Sequence, residues 1–204
     1  MVSRVAESTD RWKLSPREAA AFDPQGSAKL AGGAILIEGP QQVLLESCQQ
    51  SGELTVELRF LTERIPQTGP ARILSFSQDG FQRNFSLVQE NDQLIFRLRT
   101  PNTGNNGMNP QVTLLSVPVR QPLYLVVSYR DGEMTIYRDG RRVRTETAVR
   151  GDFHNWTPQH LLLGNEYSDA RPWLGSIERF AIHCRVMAER EVQLRDRLVR
   201  GASR

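Results

Sequence analysis

Between Leu123 and Thr147, apolar and polar positions alternate with a period of two, interrupted twice by Asp-Gly. Leu123, Leu125, Val127 and Tyr129 alternate with Tyr124, Val126, Ser128 and Arg130, which sends one set to each face of a sheet. Asp131-Gly132 and Asp139-Gly140 separate this run from Met134–Arg138 and Arg141–Thr147. Asp-Gly between alternating runs signals a hairpin, because glycine takes the positive φ that a primed turn needs. Three antiparallel strands in about 25 residues, with no helix between them, predict an all-β meander.

The same reading extends along the chain. Leu54, Val56, Leu58 and Phe60 alternate with Glu53, Thr55, Glu57 and Arg59, the pattern of a strand with one solvated face. Arg72–Ser77 is a strand turned by Asp79-Gly80, and residues 83–100 form a hairpin. In that hairpin Phe85 and Leu87 point one way and Asn84, Ser86 and Val88 the other; Leu94, Phe96 and Leu98 share a face opposite Arg97 and Arg99. Further strands are expected at Leu30 with Ala34–Gly39, Val43–Leu45, Val112–Val117, His160–Gly164 and Trp173–Arg185. In the last, Ile177, Phe180 and Ile182 break strict alternation, which predicts a bulge near Glu178-Arg179. Residues 187–200 have helical character, with Met187, Leu194 and Leu198 on one side and Gly201 as the stop. Residues 1–26 are polar and broken by Pro16, Pro24 and Gly26. They predict an arm with one helical turn at Ser15-Pro16, ahead of a sandwich domain over residues 27–204. About a dozen strands with turn signals roughly every 8–12 residues predict a two-sheet antiparallel sandwich.

Composition narrows the function. A hydrophobic fraction of 39% supplies a core and excludes a disordered chain. The balance of 26 basic and 23 acidic residues contains no dense basic run, so no nucleic-acid partner is expected. No stretch approaches the roughly 20 apolar residues of a membrane span. The N-terminus lacks an apolar signal core, so the chain is either cytoplasmic or has lost a leader or anchor. Cys48 and Cys184 are too few for a disulfide framework and too far apart for a metal knuckle.

Three stretches resemble the laminin-G-like jelly roll of the concanavalin A-like lectin/glucanase superfamily: ELTVELRFLTE (53–63), RDGEMTIYRDGRRV (130–143), and LLLGNE followed by WLGSIERFAIHCRVMAEREV (161–166, 173–192). Residues 83–110 also look like a subgroup in bacterial multidomain proteins, some beside VanZ-like membrane domains. The resemblance covers about residues 28–200. It implies an all-β jelly roll of two curved antiparallel sheets with a short C-terminal helix. It also implies ligands on the concave face or the rim loops, and for many members non-catalytic binding of glycans or proteins, often with calcium. In the family topology, strand 53–61 pairs antiparallel with 174–184. That brings Cys48 near Cys184, as a disulfide or as two separate buried thiols. A disulfide would fit an exported, periplasmic or extracellular protein.

The chemistry argues against catalysis. Glucanases of this superfamily use closely spaced carboxylates on one strand. Here Glu53 and Glu57 are four residues apart, roughly 13 Å on a strand, and Glu178 is alone on its strand. His154, His160 and His183 show no metal-ligand spacing. The polar face of the 83–100 hairpin is the better candidate. Arg97 and Arg99, flanked by Arg83, Asn84, Ser86 and Glu90, could grip an acidic glycan or an acidic protein segment through guanidinium forks. Alternatively they form a solvated sheet face or a structural Arg–Glu network. The loop 101–110, with Asn106, offers amides of the kind sugar sites use, or is a long turn held by its own side chains. Trp156, Trp173 and Tyr167 could stack on a sugar. Trp173 is expected in the core, and Trp156, in a polar loop, is the better binding candidate. No cofactor is required, and calcium is the one metal that Asp79, Glu166 or Asp169 could hold. The leading reading is non-catalytic recognition of a glycan or protein. The second is an accessory subunit of a larger, membrane-associated assembly.

Overall fold

The computed structural model describes residues 12–67 and 69–201. In chain order its elements are β1 (Lys13–Arg17), β2 (Ala20–Phe22), β3 (Ala28–Ala31), β4 (Ala34–Glu38), α1 (Gln41–Ser51), β5 (Leu54–Thr62), β6 (Ala71–Ser77), β7 (Arg83–Glu90), β8 (Gln93–Leu98), β9 (Val112–Ser116), β10 (Leu123–Arg130), β11 (Glu133–Arg138), β12 (Arg141–Glu146), β13 (His160–Leu163), β14 (Leu174–His183) and α2 (Glu189–Gly201). The strands form two seven-stranded sheets. The first runs β1-β4-β13-β6-β7-β8-β9 and the second β12-β11-β10-β5-β14-β3-β2. Neighbouring strands pair antiparallel throughout both sheets. This is the all-β sandwich that the alternation predicts and the jelly roll with a short C-terminal helix that the resemblance implies.

The β10–β11–β12 meander shows why the pattern is legible. Arg138 pairs with Arg141 across a two-residue loop, and both loop residues have positive φ, 53° at Asp139 and 77° at Gly140. That primed turn matches the twist of the strands it joins. The expected bulge is present as a register shift between Ile177 and Arg179. Between the sheets, Val56, Leu58 and Phe60 of β5 meet Phe76, Phe85 and Phe96 of the first sheet in one continuous core.

Four local expectations are corrected. Residues 13–22 do not form a loose arm with a helical turn; β1 pairs with β4 and β2 with β3. Pro16 fits there because β1 is an edge strand, where a missing N–H breaks no ladder. Residues 1–11 of the expected arm lie outside the described residues. Val43–Leu45 is helical, within α1, because Leu45 and Cys48 share the buried side of a helix capped by Gly52 in the left-handed region. The polar side of β5 is not solvated: Thr55, Glu57 and Arg59 are buried, and Arg195 of α2 reaches the Glu57 carboxylate at 3.1 Å. Finally, α2 packs through Val192 and Val199, with Met187 beside them, onto Tyr124, Val126 and Tyr137. Leu194 and Leu198 are left exposed. The cysteines form the disulfide Cys48–Cys184, which ties α1 to the end of β14.

Candidate functional site

The first sheet turns Phe76, Phe85, Leu87, Phe96 and Leu98 inward, so the alternate positions of β6, β7 and β8 face away from the second sheet. Cross-strand register sets their order. Ser75 lies opposite Ser86, and Ser86 opposite Arg97. Irregularities in β6 bring Arg72 opposite Val88 and Ser77 opposite Arg83. Arg99 stands beside Asn84, to whose carbonyl its N–H donates at 2.8 Å. The result is a polar floor of serines carrying four arginines.

Loops close over this floor. Asn165 shapes the segment after β13, its Oδ1 accepting from the N–H groups of Glu166 and Arg171, while Ser75 Oγ donates to the Asn165 carbonyl at 2.9 Å. This places Glu166 over the sheet. The turn after β6 is held by Asp79, whose Oδ1 accepts from the N–H groups of Phe81 and Gln82. A Cβ on Gly80 would lie 3.9 Å from Glu166 Oε1, and the Gly80 carbonyl accepts from Arg83 Nη2. On the other side, the Arg83 N–H donates to the Asn105 carbonyl.

Arg72, Arg83 and Arg97 are consequently 1, 1 and 4% exposed. One buried carboxylate serves them. Glu166 Oε2 lies 3.3 Å from both Nε and Nη2 of Arg72, and its Oε1 lies 4.0 Å from the half-exposed Arg171. Arg97 Nε donates to Gln111 Oε1 at 2.8 Å. Among the described residues Arg83 makes no ion pair, and its Nε and Nη1 are buried without a hydrogen-bond partner, as are Ser77 Oγ, Ser86 Oγ and Arg99 Nε. Burial pushes Arg72 down to about 10, with Glu166 opposing the fall. Burial pushes Arg83 down to about 9, reinforced by Arg72 and Arg97. Arg97 and Arg99 are also lowered by burial.

The residues nominated from the sequence divide into two groups. Arg83, Asn84, Arg97 and Arg99 come together, but as a buried cluster rather than a solvated face. Asn84 is committed to the fold: its amide donates to the Thr157 carbonyl at 2.8 Å and its Oδ1 accepts the Thr157 N–H. Glu90 is half-buried at the far end of β7 and attracts Arg97. Asn106 holds its own loop, its Oδ1 accepting from the Met108 N–H. Trp156 is corrected from surface platform to core. It is 3% exposed, its ring lies 4.3 Å from Phe153, and its Nε1 donates to the Arg99 carbonyl. The amphipathic indole reads as a surface residue in a polar loop, yet its ring is buried and its N–H satisfied. Trp173 is in the core as expected, donating to Gln89 Oε1. Tyr167 stacks on His160 at 3.6 Å, with Arg17 over its outer face at 5.2 Å. Phe81, two residues before Arg83 in the turn after β6, is 80% exposed. Sequence reasoning missed Arg72 and the structural use of Glu166. The available signal was an arginine opening the strand RILSFS, whose other residues carry no charge.

The loop carboxylates considered for calcium are engaged otherwise: Asp79 caps its turn, Glu166 pairs with Arg72, and Asp169 pairs with Arg17 at 2.9 Å. Among the described residues, no group of three or more His, Cys, Asp or Glu could hold a metal ion. The buried carboxylates among the described residues lie apart in the fold, Glu57 on β5, Glu166 in the loop after β13 and Asp196 on α2, and each pairs with guanidinium groups. Glycoside cleavage instead needs two carboxyl groups about 5–9.5 Å apart across one cleft.

The Laminin_G_3 family model, described as concanavalin A-like lectin/glucanases superfamily, matches residues 38–193. No curated protein shows a significant match. Among solved structures, the chain resembles one from a study of botulinum neurotoxin type C cell entry dependent on two ganglioside molecules, with a TM-score of 0.70 and 12% identity over 96% of this chain and 48% of that one. It also resembles the binding domain of botulinum neurotoxin DC in complex with rat synaptotagmin II, with a TM-score of 0.67 and 12% identity over 95% and 48%. The chain spans about half the length of these structures, and at such identity the likeness is one of fold.

Proposed function

The chain belongs to the concanavalin A-like lectin/glucanase superfamily, and from that premise we propose that it is a non-catalytic recognition module acting outside the cytoplasm, which binds an acidic carbohydrate through the outer face of its first sheet. The observation that carries this reading is the cluster of Arg72, Arg83 and Arg97, buried on a serine floor around a single carboxylate. Guanidinium forks suit carboxylate and sulfate groups, and Phe81 offers an exposed ring beside the cluster. The fold likeness to toxin domains that bind gangliosides or a protein is consistent with recognition. The disulfide Cys48–Cys184 fits an oxidising compartment. A glycan array comparing the wild type with an Arg97→Ala/Arg99→Ala variant tests the reading. Loss of the array signal at a melting temperature within a few degrees supports it; an unchanged signal refutes it.

A second reading, an accessory subunit of a larger assembly, draws on the side of α2 that carries exposed Leu194 and Leu198. Leu194→Glu with Leu198→Glu would then abolish co-purification with a partner while leaving the glycan array unchanged.

A further inference from the structure

The arginine cluster carries more charge than its surroundings neutralise. Arg72, Arg83 and Arg97 are each at least nine-tenths buried, and Glu166 is the one carboxylate buried among them. Glu166 is spent on Arg72. Arg97 has a neutral partner, Gln111, and attraction from the half-buried Glu90. Among the described residues, the Arg83 side chain has one hydrogen bond, to the Gly80 carbonyl. Its Nε and Nη1 are buried and unpartnered, and so are the hydroxyls of Ser77, which lies opposite Arg83, and Ser86, which lies opposite Arg97. Four polar atoms without a hydrogen-bond partner therefore lie along β6 and β7, with Ser77 directly opposite Arg83 and Ser86 three residues further along β7; Glu166 and Asp79 attract the Arg83 guanidinium but do not offset its burial and the repulsion of Arg72 and Arg97. A buried donor without an acceptor is costly, and a buried charge without a counter-charge costs more. Water could satisfy the hydroxyls but cannot neutralise the arginine.

We propose that Arg83, with Ser77 and Ser86, forms an internal site for one oxyanion of carboxylate or sulfate size, enclosed beneath the turn Asp79–Gln82. The Arg83 guanidinium presents Nε–H and Nη1–H donors without partners on two different edges of its plane, and charged N–H donors suit carboxylate and sulfate oxygens. The serine hydroxyls supply further donors from the sheet, and Gly80 lies between Arg83 and Glu166 as the cover. This rests on the recognition reading above and sharpens it: the bound oxyanion is the acidic substituent of the carbohydrate. It also stands separately as a site for the free ion.

The test is calorimetric titration of the whole chain with sodium sulfate and, in a second arm, sodium glucuronate, with ionic strength held constant by sodium chloride and with glucose as the neutral control. One saturable site for each anion and none for glucose is expected. Arg83→Gln should weaken anion uptake at least tenfold, and Ser86→Ala, which keeps every charge, should weaken it severalfold. Arg83→Gln should also melt no lower than the wild type in anion-free buffer, because it removes an unneutralised buried charge. No saturable uptake by folded wild-type protein overturns the proposal, as does unchanged uptake by Arg83→Gln. Adventitious weak binding of sulfate, unaffected by either variant, overturns it too. If both anions bind and the glycan array is blank, the site stands and the recognition reading falls. If the array is positive and Arg83→Gln changes neither array nor uptake, recognition stands and the site falls.

Discussion

Replacing Glu166 by Gln tests the charge accounting of the first sheet directly. The Arg72 and Glu166 side chains are only 2 and 3% exposed, 3.3 Å apart. The substitution keeps size and hydrogen-bonding capacity and deletes one charge. Arg72 then keeps a bond from Nη1 to the Pro70 carbonyl but faces Arg97 and Arg171 with nothing to offset them. Breaking a buried ion pair by removing one partner costs about 3–5 kcal/mol. For a chain of this size each kcal/mol moves the melting temperature by about 2–4 °C, so a fall of roughly 6–20 °C is expected. Differential scanning calorimetry reads the shift, and urea denaturation gives the free energy independently. Arg72→Met combined with Glu166→Leu should recover most of the loss, since replacing a whole buried pair with apolar groups is often near neutral. A melting temperature for Glu166→Gln within about 2 °C of wild type would refute the reasoning, as would a double variant less stable than the single one.

Three further outcomes follow from the same coordinates. Removing the disulfide with Cys48→Ser and Cys184→Ser opens a link with a sequence separation of 136 residues; the loop-entropy relation gives a loss of about 5 kcal/mol, measurable by urea denaturation, and unchanged stability would argue against the bond. Trp156→Ala should cost about 3–5 kcal/mol, because the ring sits against Phe76, Phe85 and Phe153; a stable variant that loses only binding would restore it to the surface. In the acid range, hydrogen bonds from Arg185 and then Arg195 hold Glu191 down at about 2 against an ordinary value of 4.5. Its contribution is therefore fully present above pH 4.5 and is lost as pH falls towards 2, and thermal melts across that window should show a smaller decline for Glu191→Gln, most clearly at low salt.

The strands were legible because period-two alternation and turn chemistry are local properties. Asp139-Gly140 declares its turn whatever lies around it. What covers a face is not local. Thr55, Glu57 and Arg59 read as a solvated side, and nothing within β5 reveals that Thr55 will bond Ser128, that Arg59 will pair with Glu178 or that Arg195 of α2 will reach Glu57. Val43–Leu45 misled because three apolar residues fix no period; the pairing of Leu45 with Cys48 shows only once the helix exists. In α2 the leucines outranked the valines on hydrophobicity, yet Val192 and Val199 fit the aromatic surface of Tyr124 and Tyr137 while Leu194 and Leu198 point away. The candidate site was half legible. The guanidinium pair Arg97 and Arg99 announced a polar face, but Arg72, Arg83 and Glu166 meet only through register and loop closure.

The two sheets carry comparable groupings of charge, and their difference decides which one points to a ligand. On the second sheet Glu57 is fully buried and faces Arg195, Arg179 and His183 within 3.5 Å. Burial pushes its carboxyl up, but His183, 3.5 Å away, and the two guanidinium groups outweigh this, and the net value is lowered. Arg179 and Arg195 keep 35 and 25% of their side chains in water, so solvent screens their charge and the grouping is complete as a clasp between α2 and the sheet. On the first sheet three arginines gather around one glutamate, and these cations are as buried as the anion. Solvent does not reach that surplus, and desolvation is the main force lowering Arg72, Arg83 and Arg97. A fold that needed only stability would place apolar side chains there at no loss. Keeping three dry guanidinium groups around one carboxylate makes sense if a second negative group enters, and the free donors of Arg83, Ser77 and Ser86 mark where it would sit.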